Sequence, residues 1–447
     1  IRRQRQMCIR DRGIIIMSLI VGGKSVRRRI RRNHFYFVII LILFASIGVG
    51  YAALTSTISI NGTTQITSAK WDVHFANCLV GTNTSGNYAQ PSITDNGTKL
   101  TISKIGLSAG TEVEYYVDVV NAGTIDARLS GLVKSNLTTE QEKYLSYTVT
   151  YGFNTPIKEN DLLKAGTSER IRILVVYSDD KTLAPTTQQT ISNLTFRLDY
   201  VQDKGNGIAR TKLCKRATTL HTGTIGTSTT TVNYGQIGTS GKLASGDAFD
   251  CDVNGDGKYD AATERFYYVT DLSGVSNTAV LIFYGNSNSS GVSLNNRTYY
   301  AYSGSNYSGP LTAITQLPTT TAWPRVGLIK KTSQIYNEEG GTTAAYSTNT
   351  TTTHNLPRFT YTTAARLLTY QEYYKITDNS FLWENLDGQY ADCIWLNTPV
   401  SSTGQSNAVF AIDKPNSGVI APIPSNGADT LCGIRPVIEV LKTDMIY

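Results

Sequence analysis

The segments Val113-Glu114-Tyr115-Tyr116-Val117-Asp118-Val119 and Leu145-Ser146-Tyr147-Thr148-Val149-Thr150-Tyr151 carry an apolar side chain at every second position. Successive side chains of an extended chain point to opposite faces, so this period marks half-buried β-strands. The same spacing recurs at Ile171, Ile173, Val175 and Tyr177 and at Leu194, Phe196, Leu198 and Tyr200. Turn residues such as Asp95-Asn96-Gly97 and Asn121-Ala122-Gly123 separate the runs. Several such strands with almost no helical pattern predict a mainly β chain with a β-sandwich over residues 53–203. The one helical piece expected there is Thr138 to Tyr144, capped by Thr139.

Upstream the grammar changes. Residues 1–16, with the run Met7-Cys8-Ile9-Arg10-Asp11-Arg12, read as a non-native leader, and Met17 as the start. Residues 17–52 hold a basic stretch, Arg27-Arg28-Arg29-Ile30-Arg31-Arg32, the apolar run Phe35 to Ile47, and then Gly48-Val49-Gly50-Tyr51-Ala52. Positive charge followed by an apolar segment and small residues is the order of an export signal. Cleavage is expected between Ala52 and Ala53. Continued through Leu54, the apolar run is long enough to remain as an uncleaved membrane anchor. Either way the rest is exported to the cell surface or beyond.

The formal charge of +7 does not indicate nucleic acid. Residues 1–34 hold eleven Lys and Arg against Asp11, which leaves −3 on the remainder. Phosphate contacts need that charge on the folded surface, not in the export signal. Of the six cysteines, Cys8 lies in the leader. Outside the membrane the others can oxidise, and with no CxxC pair a zinc site has little support. The expected pairs are Cys214 with Cys251 and Cys393 with Cys432, out of three possible connectivities, with Cys78 left over.

A polar, glycine-rich stretch, Gln202-Asp203-Lys204-Gly205-Asn206-Gly207, marks an extendable boundary, and a second domain is expected over residues 209–447. It mixes strands, such as Arg265 to Thr270 and Ala279 to Tyr284, with a capping box at Thr369-Tyr370-Gln371-Glu372. Two Thr and Tyr-rich loops, 286–309 and 340–356, are too long to be mere connectors.

The sharpest chemical signal is Asp252-Val253-Asn254-Gly255-Asp256-Gly257-Lys258-Tyr259-Asp260, where oxygen-bearing side chains alternate. In a twelve-residue calcium loop Asp252, Asn254 and Asp256 donate side-chain oxygens, Lys258 its carbonyl, and Asp260 binds directly or through water. Position twelve is Thr263, with Glu264 one residue late, so the bidentate ligand is missing or the loop is non-standard. Strand-like flanks predict a β-hairpin loop for Ca2+, not an EF-hand; the alternative is an Asp and Gly-rich turn holding only water.

The Gly-Tyr-Ala signal end, Trp71-Asp72-Val73-His74-Phe75 and Tyr116-Val117-Asp118-Val119-Val120-Asn121-Ala122-Gly123 resemble the TasA and camelysin group of Gram-positive surface proteins in layout. The resemblance implies a jelly-roll-like sandwich and, in some members, fibres joined by N-terminal strands. In this chain Leu54, Ile58 and Ile60 share one face of such a strand, which pairs either with another copy or within its own domain. The protease label of camelysin does not carry over, because the His-Glu-x-x-His motif is absent. Residues 360–442, with Ile394-Trp395-Leu396-Asn397-Thr398-Pro399, Ser406-Asn407-Ala408-Val409-Phe410 and Gly433-Ile434-Arg435-Pro436-Val437-Ile438, resemble bacterial C-type-lectin-like domains related to formylglycine-generating enzymes. That implies an α+β fold in which Trp395 and Arg435 are expected to be structural, the alternative being contact with a sugar, and implies no particular function.

Outside the leader the histidines are His34, in the signal, and His74, His221 and His354, each isolated in the sequence, which argues against catalysis. A Cys with His arrangement would lose its thiolate on oxidation. The expected function is a non-catalytic surface adhesin or binding module, its tyrosines facing a glycan or protein ligand. The alternative is a self-assembling fibre or matrix subunit.

Overall fold

The computed structural model describes residues 69–447 apart from 103–104, 186–193, 195, 225–228, 303–308, 331–358, 386–392, 400–407, 414–418 and 425–430. The leader, the signal with Ala52 and Ala53, the strand of Leu54, Ile58 and Ile60, the 340–356 loop, His354 and Asn407 lie outside the described residues. Ser68–Tyr447 forms one compact unit. The chain is mainly β, as its period-two runs predict.

Six long strands build the first half: β1 (Val73–Val80), β2 (Glu112–Asn121), β3 (Ala127–Lys134), β4 (Leu145–Tyr151), β5 (Ser168–Tyr177) and β6 (Phe196–Gln202). A five-stranded sheet runs β1-β2-β5-β4 and ends on Thr155–Pro156; a three-stranded sheet sets β3 between Leu162–Leu163 and β6. The odd-numbered residues Val113, Tyr115, Val117 and Val119 of β2 join Tyr147, Val149, Ile171, Ile173, Ala127 and Leu163 in one core between the sheets. This is sandwich packing, with inward faces from both layers.

The half-buried reading of β2 and β5 is corrected by the other face. Glu114, Tyr116 and Asp118 are themselves buried, as are Arg170 and Arg172 of β5. Arg170 chelates Asp118 at 2.7 and 2.9 Å, and Arg172 donates to Glu114 at 2.5 Å and to the Phe153 carbonyl at 3.2 Å. The cause is tertiary: the second half covers this face, Phe153 itself belonging to that half's core.

The second half contains β7 (Ala248–Cys251), β8 (Arg265–Asp271), β9 (Thr278–Phe283), the single-turn α1 (Tyr370–Tyr373), β10 (Cys393–Pro399), β11 (Ala408–Asp413), β12 (Val419–Pro424) and β13 (Val437–Leu441). A six-stranded sheet runs β13-β9-β8-β7, then Cys214–Arg216 and Met445–Ile446; a five-stranded one runs Arg297–Thr298, Cys432–Gly433, β10, β11, β12. Both expected disulfides form, Cys214–Cys251 and Cys393–Cys432, and Cys78 is free. Each closes a loop of several tens of residues between neighbouring strands, worth about 2–4 kcal/mol.

Local signals meet mixed outcomes. The capping box at Thr369 is present, Thr369 Oγ1 accepting from Glu372 N at 3.1 Å and Glu372 from Thr369 N at 3.0 Å. In the first half Thr138, not Thr139, does the capping: its hydroxyl accepts from Gln141 N while Gln141 accepts from Thr138 N. One residue earlier is the position whose hydroxyl reaches that amide. The boundary 202–207 is a closed turn rather than an extended linker, because Asp203 accepts from Asn206 N and Gly207 N and its own amide donates to Asp126 O.

Candidate functional site

The oxygen-rich turn lies where its flanks imply. β7 and β8 pair antiparallel, Ala248 opposite Tyr267 and Asp250 opposite Arg265, so residues 252–264 close a β-hairpin. Within the loop each short polar side chain accepts from a backbone amide two to five residues on. Asn254 takes Asp256 N at 2.8 Å, Asp256 takes Lys258 N at 2.9 Å, Asp252 takes Gly257 N at 3.2 Å and Asp260 takes Ala262 N at 2.8 Å. Gly255 and Gly257 sit at φ of 79° and 82°, which a side chain rarely tolerates, so the glycines permit the coil.

Glu264, one place late in the calcium scheme, turns inward nonetheless. Its Oε1 accepts from Val253 N and Asn254 N and its Oε2 from Asp260 N, which staples both ends of the loop. Burial pushes its carboxyl up to about 7 against those backbone donors, and Asp252 and Asp256 push it further in the same direction. Asp252 is 1% exposed. One carboxylate oxygen, Oδ2, meets the guanidinium of Arg325; the other, Oδ1, is buried without a hydrogen-bond partner.

The carboxylates are not closed on a point: among the described residues no three His, Cys, Asp or Glu side chains converge as a metal would require. Arg325 holds Asp252, while Asp256 and Asp260 lean on their own backbone, Asp260 also accepting from Thr263 Oγ1 at 3.0 Å. The Lys258 ammonium stands 4.0 Å from Asp256 at the exposed rim.

A second cluster corrects the reading of the histidines as isolated. His221 Nδ1 meets Glu384 Oε1, and Tyr267 donates its hydroxyl to Glu384 Oε2. His221 Nε2 meets the Ala261 carbonyl at 2.8 Å, and Tyr284 donates to the Ala262 carbonyl at 2.7 Å. Both imidazole nitrogens are thus engaged by oxygen. The cluster grips the far end of the acidic loop. His74 is likewise paired, with Asp72 at 2.7 Å.

Trp395 and Arg435 are fully buried, as expected of structural residues. Trp395 donates to Thr298 O at 2.8 Å; Arg435 donates to the carbonyls of Phe283, Leu382 and Phe381. Among the tyrosines, Tyr302 and Tyr374 are about 60% exposed, at 61% and 60%. Their rings pack on Tyr299 at 5.0 Å and on Tyr370 at 4.6 Å.

Arg325 and the Glu384 partnership could not be read from the sequence. They lie 73 and 163 positions from Asp252 and His221, and nothing local couples them. Compared with known protein families, with curated proteins and with solved structures, the chain matches none.

Proposed function

We propose that this chain is an exported, non-catalytic cell-surface binding module whose hairpin loop at residues 252–264 takes Ca2+. The observation that carries the reading is the Asp252 carboxylate: buried, turned into an oxygen-rich loop and left with one oxygen unpartnered. Burying such an oxygen is costly, and a hard cation relieves the cost. The two buried disulfides favour an oxidising compartment. The exposed Tyr302 and Tyr374, each backed by a second ring, suit a glycan or protein ligand, since tyrosine offers a flat face and a hydroxyl. The shared core of Trp395, Val409 and Ile434 is compatible with a C-type-lectin-like scaffold. The engaged nitrogens of His221 speak against a general base there.

Thermal melting of the full chain with millimolar Ca2+ against chelator tests the reading, alongside Asp256→Asn. A rise in Tm with calcium that the variant loses is the expected result. An unchanged Tm would remove the metal from the proposal.

A self-assembling subunit is the second reading, and one observation favours it. Among the described residues the edge strands β1 and β6 are unpaired on their outer sides, and they leave Phe75 and Phe196 only half-buried where their rings meet at 5.9 Å. An unpaired edge accepts an added strand. Deleting residues 53–65 would abolish assembly if that strand supplies the cover and leave it intact otherwise.

A further inference from the structure

The far end of the hairpin loop is held by one imidazole. His221 Nδ1 meets Glu384 Oε1, and Nε2 meets the Ala261 carbonyl at 2.8 Å. A carbonyl oxygen only accepts, so Nε2 must carry a hydrogen. The Nδ1 contact needs a second hydrogen, whether it rests on the ring or on the carboxyl. The His221 and Glu384 pair therefore holds one proton more than a neutral imidazole beside a carboxylate, and the two contacts together depend on it. Glu384 is 5% exposed, whereas 24% of the His221 side chain reaches water, which gives that proton a way out.

The surroundings decide which contact survives its loss. Tyr267 of β8 donates to Glu384 Oε2, and the buried Arg435 guanidinium, next to β13, acts on Glu384 with its charge. Tyr284, just after β9, sets its ring edge to His221 at 5.3 Å and donates to the Ala262 carbonyl at 2.7 Å. Tyr234, whose amide donates to the His221 carbonyl, turns its hydroxyl to Thr224 O, and from the loop Asp260 acts on Tyr284. A charged acceptor holds an N–H more strongly than a neutral one. Once the extra proton leaves, the single ring hydrogen stays at Nδ1 beside the carboxylate, and Nε2 presents a lone pair to the Ala261 carbonyl. We propose that the proton shared by His221 and Glu384 is a pH-operated latch, which clamps residues 261–263 in acid and frees them in alkali. The latch makes no use of a bound metal.

Glu264 responds to pH in the opposite sense. Its carboxyl, pushed up to about 7 by burial, accepts from the amides of Val253, Asn254 and Asp260, and it accepts more strongly once ionised. Raising the pH therefore tightens that staple while it loosens the turn at 261–263, where Ala262 N and Thr263 N remain on Asp260.

The test is amide hydrogen exchange of the full chain in chelator at about pH 6 and about pH 9, corrected for the intrinsic rise of exchange with pH. Wild type is compared with Glu384→Gln and His221→Phe. In Glu384→Gln the carboxamide N–H can donate to Nδ1 of a neutral ring while its oxygen accepts from Tyr267, so both contacts survive without the extra proton. Wild type should lose roughly tenfold in protection at Ala262 and Thr263 as the pH rises, a loss absent from Glu384→Gln, and His221→Phe should be poorly protected there at either pH. Glu264 titrates in all three, so the differences among them belong to the latch. Nitrogen NMR of the wild-type ring needs no variant and should show Nε2 carrying its hydrogen in acid and bare in alkali. A ring that keeps its Nε2 hydrogen throughout, protection that does not fall in wild type, or an equal fall in Glu384→Gln would each overturn the latch.

Discussion

Cys78 shows how far a residue's chemistry departs from its sequence context. It is the free cysteine among the described residues, half-buried beside Tyr115, and burial pushes its thiol up to about 11, with Asp118 adding to the shift. The thiolate is the reactive form, so two units above the usual 9.0 leaves about a hundredfold less of it at pH 8. Iodoacetamide labelling of the folded chain should be about that much slower than labelling in denaturant, and should climb with pH until about 11. Fast labelling at pH 8 would show the thiol to be open to water. Arg435 is the opposite extreme, fully buried and holding three carbonyls, its guanidinium drawn down to about 10 by burial although Glu384 opposes the shift. Arg435→Ala strands those carbonyls, and a loss of about 3–5 kcal/mol in denaturant titration is expected. A structural Arg435 is what the resemblance of the Gly433-Ile434-Arg435-Pro436 run to lectin-like domains implies; its three acceptors lie 53 to 152 positions away and leave no local trace.

At the scale of elements, period and caps are legible because they are local. Alternation locates β2, β4, β5 and β6, and the strand-like flanks of the acidic loop give a hairpin. What alternation hides is what covers the second face. Glu114 and Asp118 look solvent-bound; the second half covers their face, and arginines two strand positions apart on β5 neutralise them there. The capping box of α1 separates local from tertiary energy in one place. Thr369→Ala removes a cap worth about 1 kcal/mol. Glu372→Gln should cost more, about 3 kcal/mol, because Glu372 also holds the fully buried Arg366 at 2.5 and 2.8 Å, and Arg366 binds Glu439 on β13. Equal losses in the two variants, measured by chemical denaturation, would mean that the Arg366 network contributes little.

For the whole molecule, length predicts two domains with an extendable boundary at 202–207, whereas the described residues 69–447 pack as one unit. The difference lies in a charged joint that no local pattern announces. Arg210, just after the boundary, contacts both Glu169 of β5 and Asp444 near the C-terminus at 2.5 Å, with Lys212 also on Glu169 and the guanidinium over the Tyr151 ring. Three of the four tryptophans, Trp323, Trp383 and Trp395, are buried in the second half, and Trp71 is exposed in the first. Tryptophan fluorescence therefore reports the second half, while far-ultraviolet circular dichroism reports both. If the joint makes the halves cooperative, the two signals should fall together in denaturant for the wild type. Arg210→Ala leaves Asp444 without this cation and Glu169 with Lys212 alone, both largely out of water. Its fluorescence and dichroism transitions should then separate, the earlier one lying about 3 kcal/mol below wild type. Coincident transitions in the variant would place the coupling elsewhere, in the Arg170 to Asp118 and Arg172 to Glu114 pairs or in residues 323–330, whose carbonyls accept from Asn154 and Asn83. Substitution at Arg172 would then be the one to split them, since its guanidinium reaches from Glu114 to the carbonyl of Phe153, whose ring packs in the second core.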